Sequence, residues 1–464
     1  MSRGLIIFRA AAVFVGLGVI VFLGPGFGRT LRPPPQRILD FFQEWASARN
    51  YWNGLPIYTP QEVTARRYLG FEPPNRPYFL LRYNGHPPTS VLLALPFAWL
   101  DYSDAFLAWN LLSLVCFAVS IVLVFRNLGV RFPAWGIIPG LALLLFCNPF
   151  RQQTLQGQLN LVLLLLLTGV WVADRDGRRV LAGILLGTAT CLKLFPGFLF
   201  LYFLLKRRWA AVAAGAGTVA ALTGVTGLVL GWDAYRDYAQ IVIPELARYR
   251  GQWTNVSLLG FWEKLFGMGH RTIPLWPSPL VAHAGYLASS LLVTGLAVSA
   301  IVRARTPAAG DGAFGLSLVA MVLVSPIAWD HYFLMLLLPV TLVGQRLPTS
   351  WSYRLTFALC LLIGWLTPLL YWQRLIPGLT LDNWMTLTAD PAQVITALSF
   401  PTYALLGLFV LCSALGESEA PDGAAEGVGG GGVSTDPDGQ FPGEGAAPAV
   451  EPGADAGSET EMVV

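Results

Sequence analysis

The sequence predicts an all-α protein, built as a polytopic bundle of transmembrane helices. Only 12% of its 464 residues are charged and 55% are hydrophobic, whereas about a quarter of the residues of a soluble domain are charged. Apolar runs near the length of about 20 residues that crosses a bilayer core recur at 5–23, 105–125, 209–230, 280–302 and 394–415. We therefore expect about 11–13 membrane segments, at least one of them re-entrant or broken.

The apolar run at 1–23 is predicted to be a retained first helix, since Gly24-Pro25-Gly26 is a poor signal-peptide cleavage site. Two long polar segments follow it in the chain, and we expect them to form a first extracytoplasmic loop at 25–86 and a second at 232–280. The stretch from Asp40 to Tyr58 is typical of an interfacial helix closed by a turn at Gly54.

Two apolar segments are predicted not to cross as single straight helices. Residues 87–100 are short and broken by prolines, so a re-entrant segment is as plausible as a span. Residues 180–205 carry Lys193 and Pro196 near their centre, which favours two short arms folded into a hairpin. Further helices are expected at 132–147, 159–173, 312–325, 331–345 and 351–372.

Basic residues in short loops predict the orientation. Five such loops, near residues 126–131, 175–179, 206–208, 303–305 and 346–354, all fit the cytoplasm if 87–100 is re-entrant and 180–205 is a hairpin. The eight arginines of 25–86 conflict with this topology, but long loops follow the rule poorly. The topology places one set of polar residues at the extracytoplasmic edge, where we expect the site: Asp40, His86, residues 148–160, Lys193, Asn255, Asp330 and His331.

Charge is distributed unevenly along the chain. Residues 417–464 contain eleven Asp and Glu and no Lys or Arg, which leaves 30 basic against 16 acidic residues, or +14, in the first 416. A basic excess suits a protein among anionic lipids, and the absence of a basic aromatic patch argues against nucleic acid. We expect residues 1–416 to form the membrane domain and 417–464 a disordered cytoplasmic tail.

The cysteines and histidines do not predict a metal site. All five cysteines lie in apolar runs without the spacing of a zinc site or a disulfide framework. The four histidines, His86, His270, His283 and His331, show no ligand spacing either. We predict no metal and no cofactor.

Asp40 is the candidate catalytic base. Sugar transfer to a hydroxyl requires a carboxylate that takes the acceptor proton, and Asp40 and Glu44 share one helical face. The alternative is that Asp40 initiates the helix and Glu44 is solvated.

Lys193 is the candidate phosphate ligand. A lysine in an apolar run usually faces a cavity or a partner, and a cation there would stabilise a lipid phosphate as leaving group. The alternative is a lysine that extends to the membrane interface.

Residues 148–160 concentrate amides and one arginine. Gln156, Gln158 and Asn160 suit sugar hydroxyls, and Arg151 suits phosphate. The alternative is an interfacial turn with polar caps. Asp330 and His331 are adjacent in sequence, which does not make them a dyad, and a polar helix start explains them equally well.

Together these segments resemble glycosyltransferase family 87 of the GT-C superfamily, over roughly residues 1–415. The resemblance rests on Gly157-Gln158-x-Asn160 followed by Lys193-x-x-Pro196 and Lys206-Arg-Arg-Trp209. It extends to Asp40 with Gly54 and Tyr58, to Asn255-Val-Ser257, and to Trp329-Asp-His331. One departure is Glu44-Trp45, where relatives often have tyrosines, and it bears on the identity of the acceptor and the sugar.

The resemblance implies a GT-C-type bundle and an inverting hexosyltransferase that uses a polyprenyl-phosphate-linked donor, typically mannose. It implies that Asp40 is catalytic, that His331 contacts the donor phosphate or the acceptor, and that Asn255 belongs to the donor site. The expected partners are this donor, a lipid or glycan acceptor and membrane lipids. The expected location is the plasma or inner membrane, with an extracytoplasmic active site.

Two other classes stay open at this point. A secondary transporter would also have broken helices, but it predicts inverted repeats around midplane charges, and no internal repeat is visible. A noncatalytic protein that binds lipid carriers would keep the helices without needing Asp40.

Overall fold

The computed structural model describes residues 3–71, 82–267, 271–347, 349–380, 383 and 386–415. These residues form helices and no β-strand, apart from one isolated bridge between Thr272 and Ala389. The predicted all-α class is therefore confirmed. The predicted tail at 417–464 lies outside the described residues, as do parts of both predicted long loops.

The helices have the following bounds. The first half of the chain contains α1 (Arg3–Leu31), α2 (Phe41–Trp52), α3 (Gln61–Leu69), α4 (Pro88–Ala94), α5 (Tyr102–Asn127), α6 (Ile137–Phe146), α7 (Asn148–Gln156), α8 (Asn160–Arg175), α9 (Arg179–Leu192), α10 (Phe200–Leu205) and α11 (Trp209–Leu230). The second half contains α12 (Asp233–Asp237), α13 (Ile243–Leu246), α14 (Leu258–Phe266), α15 (Pro279–Arg303), α16 (Pro307–Val324), α17 (Leu337–Arg346), α18 (Trp351–Trp365), α19 (Pro368–Leu375), α20 (Pro391–Ile395) and α21 (Phe400–Ala414). Short 3-10 turns occupy Leu95–Trp99, Ala134–Gly136, Phe195–Leu199, Ala247–Tyr249, Asp330–Leu336 and Ala397–Ser399, and Tyr238–Val242 is a π-helical turn.

Six helical segments of the described chain are long and apolar enough to cross a membrane, or eight if each of two bent pairs is one span. Three shorter apolar helices bring the total to eleven, the lower end of the predicted range. Two predicted boundaries are wrong. Helix α1 continues through Pro25 to Leu31, and the expected helix at 351–372 is bent by 98° between α18 and α19.

The predicted hairpin around Lys193 is confirmed. Arg179, at the start of α9, and Arg208, just after α10, both pair with the carboxylate of Asp174, so the chain returns to the end from which it left. Helix α11 then packs closely on α9 because Gly183 lacks a side chain. A Cβ at Gly183 would lie 2.1 Å from the carbonyl oxygen of Ala211. This packing holds α9 against α11 near the base of the hairpin.

The segment Pro88–Trp99 lies along α2 and does not cross the bundle. Ser90, near its start, donates a hydrogen bond to Glu44. At its other end, the carbonyls of Ala98 and Leu100 accept hydrogen bonds from Arg49. Both ends therefore contact the same short helix, which favours the re-entrant alternative over the span.

The basic loops gather at one end of the bundle. Arg175 and Arg346 both lie within 4 Å of Asp311, at 3.3 and 3.8 Å, and Lys206 bonds to the carbonyl of Ala304. Gln345 donates to the carbonyl of Leu128, which brings the 126–131 loop to the same place. All five loops predicted to share one side of the membrane thus meet at one end, and α9 runs from that end to Lys193 at the other.

Candidate active site

A cavity of about 870 Å³ lies at the end of the bundle opposite the basic loops. Of the eight residues to which the sequence assigned a catalytic or binding role, five line it: Asp40, Gln156, Gln158, Lys193 and His331. His86 and Asp330, which were also expected at this edge, line it as well. They come from the start of α2, the α7–α8 connection, the hairpin tip and the 3-10 turn that starts at Asp330. Residues far apart in the sequence are thus brought to one enclosed space.

The Asp40 carboxylate faces this cavity and does not cap a helix. Asp40 immediately precedes α2, but its side chain makes no capping hydrogen bond to that helix. Instead it accepts a hydrogen bond from the side-chain amide of Gln158. The helix-initiating alternative therefore does not account for the carboxylate.

The turn at Gly157 sets the position of Gln158. Gly157 has a φ of +66°, a conformation that glycine adopts without strain, and a Cβ there would lie 2.7 Å from the Cβ of Phe41. Its carbonyl accepts a 2.8 Å hydrogen bond from Trp109 of α5. Glycine therefore lets the α7–α8 connection press against α2, and this close approach brings Gln158 to Asp40.

Lys193 is enclosed by protein groups at the hairpin tip. Its ammonium donates to Oε1 of Gln158 at 3.2 Å, to Oδ1 of Asn160 at 3.1 Å and to the hydroxyl of Tyr332 at 3.4 Å. It also lies 4.7 Å from the centre of the Tyr332 ring. Only 5% of the residue is exposed, so Lys193 does not extend to the membrane interface.

His331 presents an unpaired ring nitrogen. Its Nε2 is buried and has no hydrogen-bond partner among the described residues, although His331 lines the cavity. Asp330 holds the backbone in place, since its Oδ1 accepts a 2.8 Å hydrogen bond from the His331 amide and its other oxygen accepts from Asn148. Because an unpaired buried polar atom is costly, a ligand that bonds to Nε2 would be favoured here.

Three predicted site residues do not line the cavity. Arg151 is exposed on α7. Asn160 is fully buried behind Lys193, where it also donates to Gln153 at 3.0 Å. Asn160 therefore supports the lysine and is not placed to contact a substrate directly.

Asn255 does not line the cavity either, and its expected contact with the donor stays a prediction. Its side-chain amide donates to the carbonyls of Arg250 and Pro326, and its oxygen accepts from the backbone amides of Ser257 and Ala328. These four bonds use the full capacity of the group. Asn255 therefore ties the loop after α13 to the segment that leads into Asp330.

The cavity contains cations that the sequence reasoning missed. Arg37, Arg250 and Arg271 line it together with Lys193, against the two carboxylates of Asp40 and Asp330. The guanidinium of Arg250 makes no hydrogen bond or ion pair within the described chain. Four cations against two carboxylates favour an anionic ligand.

Two tyrosines of the cavity remain neutral hydroxyl donors at physiological pH. Burial raises the pKa of Tyr238 to about 12. Burial, with smaller contributions from Glu245 and Asp40, also raises the pKa of Tyr249 to about 12. Neutral hydroxyls can both donate to and accept from the hydroxyls of a sugar.

Glu44 is not solvated, which corrects the alternative raised from sequence. It is 2% exposed, and its carboxylate accepts hydrogen bonds from Asn84 at 3.2 Å, from Ser90 at 2.9 Å and from Nδ1 of His86. Burial acts to raise the pKa of Glu44, but the charge of His86 and these hydrogen bonds outweigh it and lower the pKa overall. The carboxylate is therefore ionised and locked behind the cavity wall.

A protein-family model and several known proteins match this chain. The model of glycosyltransferase family 87 matches residues 85–326. The polyprenol-phosphate-mannose-dependent alpha-(1-2)-phosphatidylinositol mannoside mannosyltransferase of Mycobacterium tuberculosis (strain ATCC 25618 / H37Rv) is 28% identical over 339 residues, which are 68% of this chain and 71% of that protein. The protein described in the same words from Mycolicibacterium smegmatis (strain ATCC 700084 / mc(2)155) is 30% identical over 61% of this chain and 67% of its own length.

Two further matches are more distant. The polyprenol-phosphate-mannose-dependent alpha-(1-2)-phosphatidylinositol pentamannoside mannosyltransferase of the same M. smegmatis strain is 27% identical over 54% of this chain and 58% of its own length. Among solved structures, the crystal structure of ArnT from Cupriavidus metallidurans in the apo state matches with 16% identity and a TM-score of 0.37, over 89% of this chain and 77% of that chain.

The family assignment rests on more than half of the chain. Residues 85–326 are 242 of 464 residues, and they include the cavity residues from His86 to Ser325 in sequence order. A membrane-spanning apolar bundle surrounds these residues. This chain belongs to glycosyltransferase family 87 and is a membrane glycosyltransferase.

Proposed function

We propose that the protein transfers a mannosyl residue from a polyprenyl-phosphate-linked donor to a hydroxyl of a lipid or glycan acceptor, with inversion at the anomeric carbon. The relatives named above, which depend on polyprenol-phosphate-mannose, support this donor. One geometric observation carries the proposal. A carboxylate and an ammonium, Asp40 and Lys193, bond to the two ends of a single amide, that of Gln158.

The donor phosphate binds at the Lys193 end of this arrangement. Lys193 lies beside His331 and Tyr332, and Arg250 and Arg271 line the same cavity. In this enclosed site a fixed cation stabilises the negative charge that develops on the phosphate as the bond to the sugar breaks. The ring Nε2 of His331 supplies a further hydrogen bond to the phosphate when that nitrogen is protonated.

Asp40 acts as the general base. The acceptor oxygen forms a bond to the anomeric carbon while its proton passes to the Asp40 carboxylate, and the bond from that carbon to the phosphate oxygen breaks. Polyprenyl phosphate leaves with the electron pair. Attack from the face opposite to the leaving group gives inversion, and Gln158 keeps Asp40 and Lys193 at a fixed separation on the two sides of the reacting carbon.

A mannose-bearing phospholipid is the first acceptor to test. The names of the relatives place their acceptors among phosphatidylinositol mannosides, and the cationic residues of the cavity suit a second phosphate. Gln156 and the hydroxyls of Tyr238 and Tyr249 line the remaining wall, where they can bond to acceptor hydroxyls.

The cavity opens on the extracytoplasmic side of the cell membrane in this proposal. The support is the gathering of the five basic loops at the opposite end of the bundle, since short loops rich in Lys and Arg remain cytoplasmic. A polyprenyl-linked donor suits that side because its sugar is attached to a membrane lipid and can therefore be presented at the extracytoplasmic surface.

Reconstitution tests the proposed reaction. The purified full-length protein in phospholipid vesicles is given polyprenyl-phosphate-[¹⁴C]mannose and phosphatidylinositol dimannoside. We expect a labelled, more highly mannosylated lipid, and no product when a nucleotide-linked mannose replaces the donor. Equal transfer from the nucleotide sugar, or release of free polyprenyl-phosphate-mannose across the vesicle without a product, would contradict the proposal.

A further inference from the structure

Outside the residues assigned to the reaction above, the cavity wall contains a buried acid–histidine pair. Glu44 lies behind the wall and His86 lies in it. Nδ1 of His86 contacts Oε1 of Glu44, and Asn84 and Ser90 bond to the other oxygen of that carboxylate. An ionised carboxylate only accepts hydrogen bonds, so the proton of this contact is on Nδ1 of His86.

His86 is fixed in place by its backbone as well as its ring. Its amide donates to Oδ1 of Asn84 at 3.0 Å, and its carbonyl accepts from the hydroxyl of Tyr58 at 2.7 Å. The preceding amide, of Gly85, donates to Gln43 of α2 at 2.8 Å. The imidazole therefore cannot turn away from the cavity without breaking several contacts.

The second ring nitrogen of His86 is available to a ligand. Nε2 makes no hydrogen bond within the described chain, while Nδ1 is engaged by Glu44. Nε2 can bond to a ligand hydroxyl as acceptor in the neutral ring or as donor in the charged ring, because a hydroxyl both donates and accepts hydrogen bonds. A carboxylate that fixes the tautomer of a histidine in this way is a known means of orienting an imidazole towards a substrate.

The position of the pair associates it with the acceptor. Glu44 is one helical turn after Asp40, a rise of about 6 Å at 1.5 Å per residue. Lys193 contacts Asp40 through Gln158, from a different element of the fold. Thus Lys193 is linked to Asp40 through the α7–α8 connection, whereas His86 contacts α2 itself, one turn after Asp40.

We propose that His86 binds the acceptor: its Nε2 forms a hydrogen bond with an acceptor hydroxyl next to the one that Asp40 deprotonates, and Glu44 is the positioning residue that holds the ring. This inference rests on the proposed function and adds to it a residue that recognises the acceptor.

Two substitutions at His86 separate this role from a structural one. In His86→Asn, the side-chain amide can replace Nδ1 as donor to Glu44, but nothing replaces Nε2. In His86→Gln, the longer side chain returns a polar atom near the position of Nε2. We expect His86→Asn to keep the melting temperature and the KM for polyprenyl-phosphate-mannose, and to raise the KM for phosphatidylinositol dimannoside about 3- to 10-fold, the effect of one lost hydrogen bond. His86→Gln should recover part of that loss.

The matched control is His283→Asn. His283 is exposed on α15, bonds to the carbonyl of Pro279 and does not line the cavity, so neither KM should change. An unchanged acceptor KM in His86→Asn would overturn the proposal, as would a rise in the donor KM alone. Equal loss of melting temperature in both His86 variants would show that the pair only stabilises the fold.

A binding measurement keeps this inference separate from the proposed reaction. Diethyl pyrocarbonate modifies a free imidazole nitrogen, and peptide mass spectrometry of the wild-type protein distinguishes His86 from the other histidines. We expect phosphatidylinositol dimannoside to slow modification of His86 but not of His283. Protection without any transfer would contradict the proposed reaction and retain the acceptor site, whereas transfer without protection would refute the role of His86.

Discussion

Replacing Lys193 with methionine tests the donor-phosphate site. Methionine has nearly the same length, so the hairpin tip can remain packed, and removal of a buried charge is favourable. The substitution instead weakens the interaction with the donor phosphate. A hydrogen bond to a charged group contributes about 1.5–3 kcal/mol, which corresponds to a reduction of roughly 10- to 150-fold in kcat/KM at 1.36 kcal/mol per factor of ten.

The contacts of Lys193 predict which kinetic constants change. The ammonium donates to Gln158 and Asn160, and Gln158 donates to Asp40. Without the lysine, the amide of Gln158 is free to rotate away from Asp40. We therefore expect a higher KM for polyprenyl-phosphate-mannose and also a lower kcat, measured from initial rates at fixed acceptor. Lys193→Arg should recover part of the rate because the charge is kept.

Lys264→Met is the matched control. Lys264 is fully buried, like Lys193, but it donates to the carbonyls of Trp253 and Asn255 and does not line the cavity. Like the loss of Lys193, its loss removes a buried charge together with hydrogen bonds to protein groups, but it should leave the donor KM unchanged. If Lys193→Met transferred mannose with unchanged donor KM and kcat, the phosphate would bind elsewhere, and Arg250 would be the next candidate.

Three further predictions concern stability and topology. Asn255→Ala should lower the melting temperature strongly, since four backbone groups lose a hydrogen bond, two of these bonds being buried and two partly buried, at a cost of about 1–3 kcal/mol for each buried group. An effect as small as that of the exposed Asn53→Ala would contradict this. Because the pKa of Glu44 is lowered from its ordinary 4.5, its carboxylate stabilises the fold above that pH and loses this effect as pH falls through the folded-state pKa. The melting-temperature gap between wild type and Glu44→Gln should therefore be largest near neutrality and shrink in acid, and a gap independent of pH would refute it. In intact cells, Asn53→Cys should react with an impermeant thiol reagent and Asp176→Cys should not, and the reverse labelling would invert the topology.

The sequence predicted which end of the bundle holds the site because the relevant features are local and energetically costly in a membrane segment. A lysine and a proline in the centre of an apolar run, at Lys193 and Pro196, are incompatible with a single straight span, so the hairpin followed from the sequence alone. The arginines of five short loops then placed Asp40, Gln158 and His331 at the other end. These inferences needed no knowledge of which helices pack together.

The surroundings of Asn255 and Glu44 could not be predicted, because they are formed by contacts between distant parts of the chain. Asn255 has the appearance of a ligand-binding amide, but its partners include Pro326 and Ala328, about seventy residues later. Glu44 is buried because Asn84, His86 and Ser90 surround it. No pattern near either residue distinguishes an amide or carboxylate that faces a ligand from one that satisfies the protein itself.

The central claim is that Asp40 deprotonates the acceptor, and single-turnover transfer by Asp40→Asn tests it most directly. Asparagine keeps the size of the side chain, and its amide oxygen can still accept the hydrogen bond that Gln158 donates to Asp40. Donor binding and melting temperature should therefore stay close to wild type, while the rate of mannosyl transfer falls by at least the roughly 10²-fold typical of a lost general base. Transfer at a rate near that of the wild type would contradict the account, since the acceptor proton would then have to leave by another route.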